Sequence, residues 1–394
     1  MIYQRKIFSS LENHLSKKEV TVLTGMRRTG KTTLIKELMN ISKEKQKLFF
    51  DLERLDYRKL FQQENYDTIV LALEQQGVDF SKKVLIVLDE IQLVPNLPSV
   101  IKYLYDHYDI KFIVTGSSSY YIKNKFQESM AGRKMIFEIY PLDFGEFLTF
   151  NGVPYKSLQD IKSLKNNLNE YERLKPYYEL YIAYGGFPQV VIEKNAEDKK
   201  NVLQDIISSY INIDILQLSD IRKTEEIEKL MRLLASRIGS KLDISKLANT
   251  TRLSRPTVEN YLYLLESSYL ISTIPVYSMN PDKEIVKAKK VYFSDTGIAV
   301  SLTELSSGAI FENSVFNQLK HYGEINYYQM KNGNEIDFIL DKKVAFEVKE
   351  TPYKNDYTKM MRMAKNVEVN NGYVIARHFN NQDFESMVWG GMIR

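Results

Sequence analysis

The stretch TVLTGMRRTGKTTLIKEL, residues 21–38, decides the class of fold that this chain can adopt. An apolar run leads into Gly25, and Gly30, Lys31 and Thr32 then complete the pattern G-x-x-x-x-G-K-[ST] before an apolar-periodic helix. The glycines let the backbone turn so that its N–H groups point at phosphates, at the positive end of the helix. Lys31 is expected to reach the β- and γ-phosphates, and the Thr32 hydroxyl to bind Mg²⁺. The stretch therefore predicts an ATP-binding loop.

The end of a later apolar run is predicted to supply the catalytic acids. VLIVLDE (84–90) ends in Asp89 and Glu90, at the sheet edge where ligands bind in such folds. Asp89 is expected to hold Mg²⁺ through water and Glu90 to polarise the attacking water. The alternative is a pair of solvated acids at a strand end. An acid beside the magnesium-binding Asp favours ATP hydrolysis over binding alone, so we predict an ATPase.

The following apolar run, FIVTGSSS (112–119), offers hydroxyl groups at the same edge. Thr115 and Ser117 are candidate sensors of the γ-phosphate, although a Ser/Gly turn without function also fits this sequence. The residues predicted to bind the nucleotide are Gly25, Arg27, Arg28, Thr29, Gly30, Lys31, Thr32, Thr33, Asp89 and Ser117.

Near-continuous apolar runs that alternate with helical stretches predict an α/β core, a parallel sheet covered on both faces. The predicted domains are a P-loop ATPase core at 1–150, a helical lid at 151–225, a winged helix-turn-helix at 226–280 and a C-terminal α+β domain at 285–394.

Composition excludes several other kinds of chemistry. The chain of 394 residues has no cysteine, which rules out disulfides, thiolate zinc sites and a cysteine nucleophile. Its four histidines are scattered without paired spacing, which argues against zinc. No apolar run approaches the roughly 18 residues of a membrane-spanning helix, and the start lacks the features of a signal peptide. We therefore expect a cytoplasmic protein without a membrane partner.

The segment KLDISKLANTTRLSRPTVENYLYLLESSYLISTIPVYS (241–278) has the rhythm of a helix-turn-helix. Ser254 is predicted to cap the second helix, and YLISTIPVYS (269–278) to form the strand pair of a wing. Residues 221–260 carry nine Lys and Arg against five Asp and Glu. The residues predicted to contact DNA from the outer face are Arg252, Arg255, Thr257 and Asn260. The alternative is a winged helix that serves as a lid or a protein contact.

Near the end stands DFILDKKVAFEVK (337–349), which is either a charged surface hairpin or part of a nuclease site. Strand alternation places Glu347 and Lys349 on one face, and the turn DKK can bring Asp337 beside Glu347. Glu312, on an upstream helix, would be a third acid. Glu312, Asp337 and Glu347 are predicted to bind Mg²⁺ or Mn²⁺, with Glu347 and Lys349 catalytic. This order matches the PD-(D/E)xK nucleases, except that Ile336 replaces the proline.

Four segments in series resemble one family. They are GMRRTGKTT (25–33), LDEIQ (88–92), VTGSSS (114–119) and MAGRKMIFEIYPLDFGEFL (130–148). Together they resemble the AAA-type P-loop ATPases of bacteria and archaea that carry a winged helix and a C-terminal nuclease-like domain of uncharacterised function. The resemblance spans nearly the whole chain. It implies an AAA-like core, with a restriction-endonuclease-like fold at the C-terminal end.

The resemblance also singles out Arg133 as a catalytic arginine for the γ-phosphate, acting in cis or across a subunit boundary. A surface salt bridge is the alternative for this side chain. AAA-type cores often form rings, so a homo-oligomer stays open.

Three functions remain open at this point. The first is an Mg²⁺-dependent ATPase that couples nucleotide state to DNA engagement and carries a metal-dependent nuclease domain. The second is an ATP-gated DNA-binding switch whose nuclease-like domain is inactive. The third is a signalling ATPase that recruits protein partners.

Overall fold

The structure, a computed structural model, describes residues 4–117, 130–158, 160–215, 224–279, 284, 287–379 and 384–394. Ser118 and Ser119 of the predicted sensor run, and Arg222 and Lys223 of the basic segment, lie outside these ranges. Within them, no helix is both long enough and apolar enough to cross a membrane.

The chain divides into two compact units. The first comprises Met1–Tyr140 with Ser267–Tyr269, and the second comprises Pro141–Glu266 with Leu270–Arg394. The division at Tyr140 falls earlier than the predicted boundary at 150. The predicted lid, winged-helix and C-terminal segments share the second unit apart from Ser267–Tyr269.

A five-stranded parallel sheet in the order β2-β3-β4-β1-β5 forms the centre of the first unit. Its strands are β1 (Val20–Thr24), β2 (Gln46–Asp51), β3 (Val84–Asp89), β4 (Ile110–Gly116) and β5 (Lys134–Glu138). Its helices are α1 (Phe8–His14), α2 (Lys31–Ile41), α3 (Leu55–Phe61), α4 (Tyr66–Gln75) and α5 (Leu97–His107).

Both faces of this sheet are covered, which confirms the predicted α/β core. Along β3, Ile86 and Leu88 face one apolar cluster while Leu85 and Val87 face another, because successive strand residues point to opposite sides. All six residues of β3 are buried. The parallel pairing brings the carboxyl ends of β1, β3 and β4 to one edge.

The second unit begins with helices and continues through a helix-turn-helix. These helices are α6 (Phe144–Phe150), α7 (Leu168–Tyr184), α8 (Pro188–Ile192), α9 (Ala196–Ser209), α10 (Thr224–Ala235), α11 (Ile244–Thr251) and α12 (Arg255–Ser267), with a π-helical turn at Tyr210–Ile215. Ser254 accepts a hydrogen bond from the Thr257 N–H (3.2 Å), which confirms the predicted cap of α12.

The predicted wing is wrong in its pairing. YLISTIPVYS contains only β6 (Ile271–Ile274), which pairs antiparallel with β7 (Lys290–Phe293). Pro275 directly follows β6 and has no N–H to continue a ladder. The pair therefore joins the predicted winged-helix segment to the predicted C-terminal domain.

The C-terminal part builds a mixed sheet in the order β12-β11-β10-β9-β8, in which β8, β9 and β10 are antiparallel and β10, β11 and β12 are parallel. The remaining elements are α13 (Thr296–Leu302), α14 (Ser307–Leu319), β8 (Ile325–Gln329), β9 (Glu335–Leu340), β10 (Val344–Lys349), α15 (Lys354–Ala364), β11 (Asn371–Ala376) and β12 (Met387–Trp389). Asp295 caps α13 by accepting from the Ile298 N–H (3.0 Å).

A buried histidine joins α1 to the sheet. His14 Nδ1 lies 2.8 Å from Thr21 Oγ1, and Lys111 Nζ donates to the His14 carbonyl (2.9 Å) and the Glu19 carbonyl (2.6 Å). Burial, followed by the positive charge of Lys111, lowers the pKa of His14 to about 4. The neutral imidazole is therefore part of the folded state.

We expect the free energy of unfolding to fall as the pH is lowered from about 6.5 to about 4. In this window the unfolded chain binds a proton at His14 that the folded chain rejects. His14→Gln should reduce the slope of the free energy of unfolding against pH by the equivalent of up to about one proton per molecule. Urea unfolding at several pH values measures this slope, and a variant with the parent's slope would assign the effect to another group.

Candidate functional sites

The loop between β1 and α2 is shaped by its two glycines. A Cβ on Gly25 would lie 2.1 Å from the Ile139 carbonyl oxygen, and Gly30 has φ +95° just before α2. Lys31 is 5% exposed, and its Nζ donates to the carbonyls of Gly25 and Met26, both at 2.8 Å. The lysine thus lies across the loop, at the N-terminal end of the helix. An anion there meets backbone N–H groups, the helix dipole and an ammonium group.

The predicted magnesium ligands meet at the sheet edge. Thr32 Oγ1 donates to Asp89 Oδ2 (2.8 Å), and Thr115 Oγ1 donates to the other carboxylate oxygen of Asp89. Burial raises the pKa of Asp89, even though both hydroxyls favour its charged form. A hydroxyl and a carboxylate are hard oxygen donors that suit Mg²⁺. These residues would hold the ion, which supplies charge neutralisation for the phosphates.

The acid beside Asp89 is held differently. Glu90 lies in the left-handed region (φ 58°), and Gln92 Nε2 donates to its carboxylate (2.5 Å) and to Ser117 Oγ (3.1 Å). Burial alone would raise the pKa of Glu90, but the positive charges of Lys31 and Arg27 outweigh it, so this pKa is lowered. An ionised carboxylate is what a water-polarising base requires. Sequence reasoning missed Gln92, although it stands two residues after Glu90 in the quoted LDEIQ.

The other predicted loop residues lie at or near this site. Arg27 pairs with Glu53 (3.1 Å), Thr29 Oγ1 donates to the Met26 carbonyl (2.9 Å), and Thr33 is exposed on α2. Arg28 has a positive φ of 64°. Sequence reasoning missed Arg5, whose Nη1 donates to the Thr29 carbonyl (2.9 Å) and so supports the loop from behind.

Arg133 lies at the amino ends of the strands, opposite the carboxyl ends where the phosphate-binding loop lies. Its carbonyl accepts from the N–H of Val20 at the amino end of β1, and its Nε lies 3.1 Å from Asp106 Oδ1. The phosphate-binding loop follows the carboxyl end of the same strand. The prediction that Arg133 reaches the γ-phosphate in cis is therefore wrong, and the surface ion pair describes it. A role across a subunit boundary stays a prediction.

The predicted DNA-facing side chains lie on the outside of the helix-turn-helix. Arg252, Arg255 and Asn260 are exposed and Thr257 is half-buried, while Val258 of α12 and Leu247 of α11 are in the core. In the part of the chain that the structure describes, neither arginine forms an ion pair. Two unpaired guanidinium groups on one exposed surface suit phosphate contacts.

The C-terminal hairpin brings two of the predicted nuclease residues together. Lys349 Nζ lies 2.6 Å from Glu347 Oε1, so both side chains are on one face of β10 as predicted. Asp337 Oδ2 accepts from the Val348 N–H (2.8 Å) on the facing strand. The second oxygen of Glu347, Oε2, is buried and has no hydrogen-bond partner among the described residues. An unpaired buried carboxylate oxygen is the kind of atom that a cation would satisfy.

Glu312 is held from another side. Its Oε1 accepts from the Tyr292 hydroxyl (2.7 Å) and lies 3.9 Å from the Nζ of Lys290, which itself pairs with Glu335 (2.9 Å). Sequence reasoning missed Lys290 and Tyr292. Their spacing along β7 puts both on one face of the strand, which was the available clue.

Burial acts on all three acids, and the charge of Asp337 acts on the other two. The pKa of Glu312 is raised to about 7 and that of Glu347 to about 8, first by burial and then by the charge of Asp337. Burial likewise raises the pKa of Asp337. Lys290 has a raised pKa although burial opposes it, because the charges of Glu312, Asp337 and Glu335 outweigh the burial. With these raised pKa values, Glu312 and Glu347 bind protons near neutral pH, which reduces the negative charge of the cluster.

These positions limit the metal prediction. Among the described residues, no three His, Asp or Glu side chains converge closely enough to hold one ion. The prediction that Glu312, Asp337 and Glu347 form a single ligand set therefore needs correction. Asp337 and Glu347 fit an oxygen-ligated Mg²⁺ or Mn²⁺, since Glu347 has a free buried oxygen, whereas Glu312 is engaged by Lys290 and Tyr292.

Comparison with known families defines the class of the first unit. An AAA domain model matches residues 17–148, and two domains of unknown function match 175–309 (DUF8612) and 307–390 (DUF4143). The first match contains the loop, Asp89 and Glu90. Residues 17–148 are thus similar to an AAA domain, while none of the three models covers half of the chain.

Relatives of similar length exist in archaea and bacteria. "Uncharacterized protein MJ1544" of Methanocaldococcus jannaschii is 26% identical over 393 residues, covering 96% of this chain and 86% of its own length. "Uncharacterized protein MJ1637" of the same organism is 28% identical, over 86% of this chain and 76% of its own. A protein of Haemophilus influenzae is 24% identical, over 86% of this chain and 85% of its own length. The similarity thus extends across both units.

Two solved structures are similar over most of the chain. One is the Orc1 protein of Aeropyrum pernix in complex with DNA (TM-score 0.35, 11% identity, 77% of this chain and 92% of that one). The other is Cdc6p of Pyrobaculum aerophilum (TM-score 0.31, 10% identity, 75% and 92%). At TM-scores of this size the likeness is too weak to bear on function.

Proposed function

We propose that this protein binds and hydrolyses ATP with Mg²⁺ and couples its nucleotide state to the engagement of DNA. The observation that carries the ATPase part is the meeting of Lys31, Thr32, Asp89 and Glu90 at one sheet edge. In the proposed reaction, Lys31 and the loop N–H groups bind the phosphates, and Glu90 orients the water for in-line attack. Ser117 is proposed to respond to the γ-phosphate, and its link to Glu90 through Gln92 supports this role.

The coupling proposal is supported by a hydrogen-bonded series within the first unit. Arg5 donates to the carbonyls of Thr29 and Tyr140, both at 2.9 Å. The Tyr140 hydroxyl donates to Glu138 (2.7 Å), and so does the hydroxyl of Tyr269 (3.0 Å). Tyr269 stands in the chain directly between the end of α12 and β6. A change at the loop therefore has a covalent and hydrogen-bonded route to the helix that carries the proposed DNA contacts.

The DNA part is supported by the exposed arginines of the helix-turn-helix. Arg252 directly follows α11 in the left-handed conformation (φ 61°), and Arg255 begins α12, so the turn presents both from one short segment. Guanidinium groups contact phosphates and guanine edges. A protein-recruiting surface is the rival function, and it would lack the steep salt dependence of phosphate contacts.

A nuclease activity of the C-terminal part is a second candidate. The observation that favours it is the buried, unpaired Oε2 of Glu347 beside Asp337, with Lys349 on the same face. A divalent ion bound there would neutralise charge that develops on a scissile phosphate. Lys349 would stabilise the attacking hydroxide from a half-exposed position.

For the ATPase, Lys31→Ala should weaken ATP binding by about 10- to 100-fold, because it removes charge-assisted hydrogen bonds to the phosphates. Glu90→Gln should retain binding and lower kcat by about 10²- to 10⁴-fold. Fluorescent-nucleotide titration and phosphate release measure the two effects. Lys36→Ala, an exposed lysine on the same helix, is the matched control. Turnover retained by Lys31→Ala would refute the site.

For DNA, the logarithm of the binding constant should fall linearly with the logarithm of salt concentration. Arg252→Ala and Arg255→Ala should each reduce that slope by about 1. The affinity should differ between the ATP-bound and ADP-bound protein. Arg232→Ala is the control, since Arg232 is exposed and already pairs with Glu228 at 2.8 Å. Binding without salt dependence, or slopes that both variants leave unchanged, would favour the protein-recruiting function.

For the nuclease candidate, Mg²⁺ or Mn²⁺ should support nicking of supercoiled plasmid, and Lys349→Ala should abolish it while retaining DNA affinity. Lys343→Ala changes an exposed lysine in the turn of the same hairpin and should nick normally. Absence of nicking on duplex, single-stranded and branched substrates, with and without ATP, would leave the inactive-domain switch as the function.

A further inference from the structure

Lys290 is a fully buried lysine with no assigned role in the proposed reactions. It lies on β7, is 1% exposed, and reaches the carboxylate cluster from outside the hairpin that supplies Asp337, Glu347 and Lys349. Burying an ammonium group is costly unless it is paired, so its partners determine what it does.

Those partners are acids on two different elements. Lys290 Nζ lies 2.9 Å from Glu335 Oε1 on β9 and 3.9 Å from Glu312 Oε1 on α14. The ring of Tyr327 lies beneath the ammonium, with its centroid 5.4 Å from Nζ. One positive charge therefore sits between carboxylates that the chain brings together from separate segments, which is the position that a bound cation takes.

The surroundings of Glu312 leave it little freedom to turn elsewhere. Tyr292 donates to the same oxygen that faces Lys290, at 2.7 Å. Behind the carboxylate lies Gly239, where an added Cβ would approach Glu312 Oε1 to 2.7 Å. Glu312 is thus enclosed by a hydroxyl, an ammonium group and a glycine backbone. The ammonium group of Lys290, 3.9 Å from Oε1, is the cation that faces this carboxylate.

We propose that the Lys290 ammonium is a built-in cation that takes the place of a metal ion on the Glu312 side of the cluster, so that a divalent ion is confined to Asp337 and Glu347. The confinement rests on the metal-binding part of the proposed function, but the exchange of Lys290 for an ion does not. The cluster then contains one fixed cation and one exchangeable cation position.

Counting bound Mn²⁺ tests this proposal in the full chain without nucleotide. Lys290→Met replaces the ammonium group with an uncharged side chain that is one atom shorter, and it should bind one more Mn²⁺ per chain than the parent. Adding Glu312→Gln to this variant should remove the extra ion. Free Mn²⁺ measured by electron paramagnetic resonance gives both stoichiometries, and the loop site contributes equally to every protein compared.

The control is Lys342→Met, which removes an exposed lysine that pairs with Glu284 at 3.7 Å. It should bind as many ions as the parent. Lys290→Met/Glu335→Gln is the replacement if Lys290→Met does not fold in metal-free buffer. It removes one charge of each sign and keeps Glu312 and Asp337. Its bound Mn²⁺ is counted in the same way. Added Mn²⁺ should also raise the Tm of the folded lysine variant more than that of the parent.

The proposal is overturned if the lysine variant binds no more Mn²⁺ than the parent, or if the extra ion survives Glu312→Gln. Failure of the nuclease function would look different. In that case the parent neither binds an ion at Asp337 and Glu347 nor nicks DNA, and the additional ion in Lys290→Met still decides the present proposal.

Discussion

Two hydroxyl groups on one carboxylate hold the nucleotide site together. Asp89 accepts from Thr32, at the start of α2, and from Thr115, at the end of β4. These bonds tie the loop after β1 to the ends of two neighbouring strands. They are available only because parallel pairing brings the three carboxyl ends to the same edge, so the register of the sheet determines the geometry of the site.

The same constraint fixes the neighbours of Asp89. The left-handed conformation of Glu90 turns the chain immediately after β3, and the Glu90 N–H donates to Thr115 Oγ1 (3.2 Å). The Thr115 hydroxyl therefore donates to the Asp89 carboxylate and accepts from the backbone N–H of Glu90. A non-glycine residue in this conformation is strained, and such strain is concentrated where function requires a side chain in one place.

Local pattern predicted much of this arrangement, and long-range pairing explains what it missed. The loop, β3 and the helix-turn-helix core were predictable because each depends on spacing within about 20 residues, which strand or helix periodicity records directly. The prediction of the wing was wrong because β6 pairs with β7, a strand that lies after Pro275 in the chain. Lys290 was missed because its partner Glu335 is 45 residues away, and sharing one face of β7 with Tyr292 does not by itself indicate burial. The prediction for Arg133 was wrong because a motif gives the order of residues but does not say at which end of the strands a residue lies.

The two proposed sites hold their acids in opposite protonation states. At the loop, the positive charges of Lys31 and Arg27 oppose the effect of burial on Glu90 and its pKa is lowered, so this carboxylate is ionised at neutral pH. At the hairpin, burial and then the charge of Asp337 raise the pKa of Glu347 to about 8, so this carboxyl group keeps a proton at neutral pH. A divalent ion binds the ionised form of a carboxylate. If the hairpin binds such an ion, the ion therefore has to displace a proton from Glu347, whereas the proposed role of Glu90 requires no such exchange.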